Sequence, residues 1–404
     1  MREVVLINVS GEDRAGLTAA LTEILARYNI DILDIGQAVI HNTLSLGFLV
    51  EVPQSLNACP VFKELLFKAH ELGVQLRFTP IEAEEYEAWV THQGRARYII
   101  TLLGRQITAR HVADVSAEIA RQGLEIDSIN RLSGRISLQD AERRENASVE
   151  FSVRGTPTDL GEMRSRFMDI TVESGLDIGL QEDNVYRRSR RLIAFDMDST
   201  LIQAEVIDEL AIRAGVGEQV AAITESAMRG EIDFSESFRQ RLALLEGLDV
   251  SVLESIAESL PITEGADRLM QNLKRFGFKI AIISGGFTYF GEYLQQRWGV
   301  DYVHANQLEV VDGKVTGRSS GTIIDGAKKA ELLQMIAEKE GISLQQCVAV
   351  GDGANDLPML NTAGLGIAFH AKPIVKAGAK QSISTLGLDG VLYFLGVRDR
   401  EAMV

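Results

Sequence analysis

Two aspartates separated by one residue, Asp196 and Asp198, close the apolar stretch Leu192-Ile193-Ala194-Phe195. An ionised carboxylate withdrawn from water must be paired or must hold a metal ion, so two of them at the end of a buried strand make a cation plausible. The modest alternative is that Asp198 begins a turn or caps the next helix while Asp196 sits beside it. Two more apolar stretches end in polar chemistry. Residues 278–283 run into Ser284-Gly285-Gly286, and residues 347–350 run into Gly351-Asp352-Gly353-Ala354-Asn355-Asp356. A helical stretch over 327–339 begins with Lys328 and Lys329.

These stretches need a scaffold, and the composition describes it. With 404 residues, two or three domains are expected. Apolar residues make up 46% of the chain, which argues against disorder. A formal net charge of −16 opposes binding to nucleic acid or anionic membrane, since the long-range field repels phosphate polymers. The two cysteines, Cys59 and Cys347, lie in apolar settings and suit reduced, buried thiols in a cytoplasmic protein. The first apolar run is too short for a signal peptide, and no run reaches the ~18 apolar residues of a membrane span.

The N-terminal half repeats one order of elements. A strand over 4–9, a helix carrying Leu17, Leu21, Ile24, Leu25 and Tyr28, and strands over 30–40 and 44–52 come first. The polar residues His41-Asn42-Thr43 between those strands suit a hairpin turn. A helix over 60–72 and a strand over 74–81 complete βαββαβ, the ferredoxin-like arrangement. The order recurs with strands over 97–103, 124–132, 147–153 and 176–180 and helices over 108–121 and 159–173. Internal duplication is the simplest account. The polar insert 139–145 reads as a solvated loop, and the basic run Tyr186-Arg187-Arg188-Ser189-Arg190-Arg191 as a solvated linker.

Beyond the basic run, strands alternate with long helices, the mark of an α/β domain with a parallel sheet. Asp312-Gly313 between β-branched residues predicts a hairpin. Residues 205–260 are helical in pattern and would stand above the carboxyl edge of the sheet, where ligands bind in open α/β folds. The expected domains are therefore residues 1–82 and 95–182, both ferredoxin-like, and a Rossmann-like domain over 190–404 with a helical cap over about 204–262.

Two resemblances follow from these motifs. Gly11-Glu12-Asp13-Arg14-Ala15-Gly16-Leu17 resembles the ligand-binding loop of ACT domains, small amino-acid-sensing modules. That likeness implies a free amino acid, serine first among the candidates, near Asp13 and Gly16; otherwise the two residues shape the turn. The second copy has Gly104-Arg105-Gln106-Ile107-Thr108-Ala109-Arg110 at the matching place, without the Asp-Arg-Ala-Gly pattern. ACT modules commonly pair across subunits, so a homodimer is expected.

The set Asp196/Asp198, Ser284-Gly285, the lysine-led helix and Asp352/Asn355/Asp356 resembles, in order, the four motifs of the haloacid dehalogenase superfamily. The resemblance implies Mg²⁺ held by Asp196, Asp352 and the main-chain carbonyl of Asp198, with Asp356 and Asn355 ordering its surroundings. Asp196 would attack phosphorus and form an aspartyl-phosphate. Ser284, the Gly285 amide and Lys328, preferred over Lys329 by family register, would hold the phosphoryl oxygens. Asp198 would act as acid and then as base, which points to a phosphatase or phosphotransferase and not a dehalogenase or an ion pump.

The stretches 196–205 and 234–241 look like the phosphoserine phosphatase family. There Glu205 would meet an ammonium group, Phe234 would form an apolar wall and Arg241 would clamp a carboxylate. Read alone, Glu205 and Arg241 could be solvated helix charges and Phe234 cap core. The expectation is a phosphatase that releases L-serine from phosphoserine. A phosphotransferase and an amino-acid-responsive regulatory protein are the alternatives.

Overall fold

Strand Thr43–Val52 turns Leu44, Leu46, Phe48, Val50 and Val52 inward and alternates them with more exposed residues, the period of a strand with one face on a core. It sits in a four-stranded antiparallel sheet ordered Asp31–Ile40, Thr43–Val52, Glu3–Glu12, Gln75–Ile81. Helices Leu17–Arg27 and Cys59–Leu72 supply Leu21, Ile24, Val61 and Leu65 to the apolar layer against it. The predicted hairpin turn is present, with His41 left-handed at φ 59°. A helix not expected from the sequence pattern, Ala83–Thr91, follows the last strand. The computed structural model describes residues 3–53, 59–91, 94–135, 146–229 and 231–403. The chain divides into two compact units, Met1–Arg95 and Ala96–Val404.

The second unit contains both the second βαββαβ repeat and the α/β domain. The repeat's sheet runs Glu125–Arg131, Ala147–Arg154, Arg97–Gly104, Asp177–Glu182, again antiparallel. The α/β domain is built on a seven-stranded sheet ordered Lys314–Ser320, Tyr302–Val311, Lys279–Phe287, Leu192–Phe195, Cys347–Gly351, Leu365–Phe369, Gln381–Ile383. Only the hairpin strand Lys314–Ser320 runs antiparallel to its neighbour.

Leu192–Phe195 occupies the centre because it is apolar on both faces. Leu192 and Ala194 enter one core cluster with Cys347 and Leu333, while Ile193 and Phe195 enter the other with Ile280 and Val348. Such two-sided burial marks a parallel strand covered by helices on each side. Its partners on either side, Lys279–Phe287 and Cys347–Gly351, start level with it. Their carboxyl ends therefore emerge at one edge, and all three polar motifs emerge with them.

The chain leaves this edge through a tightly wound turn, in which Thr200, Leu201 and Ile202 all donate backbone hydrogen bonds to the Met197 carbonyl. It then enters a cap of four helices, Val206–Ala214, Gly217–Met228, Phe234–Ala243 and Ser251–Glu258. The bridge between Ile202 and Ile262 holds the cap's entry and exit together. The hairpin Tyr302–Val311/Lys314–Ser320 reaches back to the cap through backbone bonds from Gly247 to Val315 and from Val250 to Gly313.

The second repeat is integrated with the catalytic body. Leu103 and Leu132 lie in the same core cluster as Ile193 and Phe195. The Gln381 side chain both accepts from Leu180 N and donates to Leu180 O, joining the edges of the two sheets. Asp177 accepts from the Ser384 and Thr385 amides at 2.6 and 3.2 Å.

The basic run is only in part the expected solvated linker: Tyr186, Arg188 and Arg191 are exposed, but Arg187 is buried and Arg190 half-buried. Asn184 caps a short helix, Val185–Arg188, which turns Arg187 inward to a 2.5 Å contact with Glu150. Burial lowers Arg190 to about 10. Glu150 stands far away in sequence, so the run alone held no sign of this partner. The insert 139–145 lies outside the described residues. Cys347 is a buried free thiol. Among the described residues no helix is long and apolar enough to cross a membrane.

Candidate active site

The three strand ends and the cap enclose a cavity of about 130 Å³ lined by Asp196, Asp198, Glu205, Phe234, Arg241, Gly285, Asp352 and Asn355 among others. That is well below the ~300–1,000 Å³ of sites for drug-sized ligands, and it suits a small metabolite. Eight of the residues singled out in the sequence thus line one cavity. Ser284 and Asp356 lie immediately behind it. Asp13 and Gly16 belong to the other unit.

Asp196 is 5% exposed. One carboxylate oxygen accepts from Met197 N at 2.7 Å, and the other meets Lys329 Nζ at 2.7 Å. Lys329 Nζ also donates to Asp356 at 2.7 Å. Burial opposes the charge on Lys329, but the carboxylates of Asp196 and Asp356 outweigh it and raise the ammonium's pKa above its ordinary value.

Here the structure corrects the expected lysine. Lys328 points away from the cavity and pairs with Glu331, its side chain 30% exposed. Lys329 is fully buried and contacts the carboxylate of Asp196. The reason is helical register. The buried residues of Gly326–Glu340 are Lys329, Leu332, Leu333, Ile336 and Ala337, a single stripe at spacings of three and four. Lys329 heads that stripe, whereas Lys328 sits about 100° round the helix.

Asp198 has one oxygen bonded by Val206 N at 3.0 Å, and its side chain lies against Gly286. Burial, then the charges of Glu205 and Asp196, push its carboxyl well above the usual carboxylate range. A carboxyl kept protonated can donate a proton to a leaving group. Burial, then Asp196 and Asp356, raise Asp352 to about 8, against the hydrogen bond from Thr200 Oγ1 at 3.0 Å. Asp196, Asp352 and Asp356 each present a carboxylate oxygen, and these lie within 4.8 Å of one another. Two buried acids and one half-buried one, with one ammonium among them, leave negative charge uncompensated, and oxygen donors of this kind suit a hard divalent cation. The donor set therefore fits a metal ion.

Ser284 is fully buried, and its hydroxyl accepts from Gly286 N at 2.9 Å. Gly285 lies close under the cap: a Cβ there would stand 3.0 Å from Phe234 Cζ, and the ring would have to give by a few tenths of an ångström. Phe234 stacks on Phe238 at 6.4 Å, so the apolar wall continues into the cap. Glu205 accepts from Ser199 Oγ at 2.7 Å, and Ser199 reaches it from a left-handed backbone at φ 55°. Burial raises Glu205 against the effect of that hydrogen bond. Burial lowers Arg241, against the charges of Asp208 and Glu205. Ser199, Thr200 and Asp208 were not singled out in the sequence. The first two directly follow the twin aspartates, and that adjacency was the available signal.

In the first unit, Gly16 has φ 85° and opens the helix Leu17–Arg27. A Cβ there would meet nothing within 4 Å. Asp13 is exposed, and its N–H donates to the Asn42 carbonyl at 2.8 Å. The matching turn of the second repeat is committed elsewhere: Arg105 bonds Glu264 through both terminal nitrogens, at 2.9 and 2.8 Å, and donates from Nε to the Thr385 carbonyl at 2.9 Å.

Fold and site together define a haloacid dehalogenase-like hydrolase. The family model of that description matches residues 193–361, and ACT domain models match residues 3–79 and 96–181. The phosphoserine phosphatase of Streptomyces coelicolor is 40% identical over 400 residues, covering 98% of this chain and 93% of the relative. Phosphoserine phosphatase SerB2 of Mycobacterium tuberculosis is 39% identical, covering 97% and 93%. A solved structure of a probable phosphoserine phosphatase from Vibrio cholerae superposes with TM-score 0.58 at 36% identity, over 75% of this chain and 87% of that one. A HAD family hydrolase from Salmonella enterica serovar Typhi gives TM-score 0.62 at 30% identity, over 74% and 98%. The chain belongs to the phosphoserine phosphatase family.

Proposed function

We propose that the protein hydrolyses O-phospho-L-serine to L-serine and phosphate in the cytoplasm, the last step of making serine. The observation that carries this reading is that Glu205 and Arg241 line the same small cavity as Asp196 and Asp198. A carboxylate and a guanidinium suit an ammonium and a carboxylate, and a nucleophile with an acid beside them suits a phosphate ester.

Asp196 attacks phosphorus, forming the aspartyl-phosphate bond as the ester P–O bond breaks. Asp198 gives its proton to the departing serine oxygen. It then takes a proton from the water that attacks the aspartyl-phosphate, which releases phosphate and restores Asp196. Lys329, Ser284 and the Gly285 amide bind the phosphoryl oxygens, whose charge spreads in the transition state. Asp196, Asp352 and the Asp198 main-chain carbonyl would hold Mg²⁺, with Asp356 and Asn355 beside it. When bound, the ion neutralises the ester dianion, which otherwise repels a carboxylate nucleophile.

Phosphate release from phosphoserine, sugar phosphates and phosphoglycolate, with Mg²⁺ and with chelator, tests the reading. A preference for sugar phosphates, or full activity in chelator, would overturn it. Adding homoserine or another alcohol detects transfer to an acceptor in place of water.

The open turn at Asp13 and Gly16 supports binding of a free amino acid, serine in the first instance, by the first unit. Equilibrium dialysis of the whole chain, with phosphonoserine filling the catalytic site, should show saturable serine binding that Asp13→Ala removes. Ile32, Ile35 and Ile40 are exposed on the edge strand Asp31–Ile40 and support pairing of two copies as a homodimer. Light scattering that gave a monomer mass would reject it.

A further inference from the structure

The Ser284-Gly285-Gly286 turn exists because two strands fall out of step. Ile283 pairs with His304 and the next pair is Phe287 with Asn306, so three residues on one strand oppose one on the other. Such bulges push backbone out of a ladder beside active sites, and they leave peptide groups without ladder partners. Asn306 fills this gap from the neighbouring strand.

Its side chain is 2% exposed. Nδ2 donates to the Gly285 carbonyl at 2.8 Å, and Oδ1 accepts from Ile324 N at 2.9 Å. This orientation of the amide serves both partners, since one offers only an acceptor and the other only a donor. Thr288 fastens the same point from the other side, its hydroxyl donating to the Ala305 and Asn306 carbonyls at 3.0 and 3.2 Å. The Gly285 carbonyl belongs to the same peptide plane as Gly286 N–H, which donates to Ser284 Oγ at 2.9 Å. Ile324 lies just before Asp325, which caps the helix that carries Lys329.

We infer that Asn306 is a positioning residue for phosphoryl binding: its carboxamide fixes the Gly285–Gly286 peptide against the approach to the Lys329 helix. The turn bearing Ser284 and the helix bearing Lys329 are thereby held at one spacing. Asn306 does not line the cavity and acts through these groups. The inference rests on the phosphoryl-binding role given to Ser284, Gly285 and Lys329 above.

The test is Asn306→Ala in the whole chain with Mg²⁺, made in an Asp13→Ala background that removes the serine site proposed for the first unit, and titrated calorimetrically with inorganic phosphate and, separately, with L-serine. Two hydrogen bonds that orient the phosphoryl cradle should cost about tenfold or more in phosphate affinity, with a matching fall in kcat. Serine affinity, set by Glu205 and Arg241, should stay within about twofold. Asn306→Ser, which keeps a smaller polar group but cannot span both partners, should give the same split if the alanine variant fails to fold. Equal losses for phosphate and serine would show a merely structural role and overturn the inference, as would unchanged phosphate affinity. A wild type that binds phosphate yet does not hydrolyse phosphoserine would instead overturn the substrate assignment alone.

Discussion

Replacing Lys329 by methionine keeps an unbranched side chain as far as Cε and removes the ammonium between two buried carboxylates. Each contact measures 2.7 Å, and neither Lys329 nor Asp356 is exposed. At an effective dielectric of about 20, each contact supplies roughly 6 kcal/mol of attraction before desolvation is counted. Desolvation offsets much of this, and removing one partner of a buried pair typically costs about 3–5 kcal/mol. Lys328→Met is the internal control. Its pair with Glu331 is three residues apart on a helix surface, where such contacts contribute about 0.3–0.5 kcal/mol. Urea unfolding at neutral pH should therefore separate the two variants by several kcal/mol. Phosphoserine turnover should fall about 10²–10³-fold in Lys329→Met, the typical loss of one donor to a transition-state oxyanion, and stay near wild type in Lys328→Met. Loss of turnover in Lys328→Met with near-normal Lys329→Met would refute the register argument.

Asp196→Asn should abolish turnover while circular dichroism stays native, because the amide is nearly isosteric and cannot attack phosphorus. Arg241→Lys should lower kcat/KM for phosphoserine on the order of a hundredfold yet spare an aryl phosphate without a carboxylate, since a lysine cannot reproduce a bidentate clamp. Asp352, raised to about 8 in the folded protein, holds a proton that the unfolded chain has lost. Stability of the metal-free protein should accordingly be fully present below pH ~4 for this group and decline as pH rises through about 8. Melting curves in chelator should show the decline and Mg²⁺ should flatten it; a pH-independent difference between the two would contradict the assignment. Leu103→Ala, in the second repeat, should destabilise the catalytic unit by about 2–5 kcal/mol, because Leu103 is buried in the shared core. A native melt of the phosphatase activity would contradict that integration.

The strand ends were legible because an apolar run buried on both sides, once broken by Asp or Ser-Gly-Gly, presents those polar groups at the carboxyl edge of a parallel sheet. The duplicated βαββαβ order was legible from the alternation of strand and helix periods. Asp312-Gly313 predicted a hairpin that the structure forms, with both residues at positive φ. The lysine was readable in principle: extending the stripe of Leu332, Leu333, Ile336 and Ala337 one turn backward reaches Lys329. Arg187 and Asn306 were not readable. Glu150 lies 37 residues from Arg187, and the Gly285 carbonyl lies 21 residues from Asn306, so only folding brings either pair together. The βαββαβ order likewise said nothing of how firmly the second copy would join the catalytic body.

That join gives the two repeats unequal freedom to change. In the first copy Asp13 and Arg14 stand exposed on the turn, while Gly16 is held to glycine by its φ of 85°, so the exposed positions beside it are the ones free to be selected for a new small molecule. In the second copy Arg105 answers to Glu264 and to the Thr385 carbonyl, and each substitution there must be matched across the junction. One duplicate remains open to innovation while the other has become masonry, and an engineer seeking new control over the enzyme would rebuild the first turn and leave the second alone.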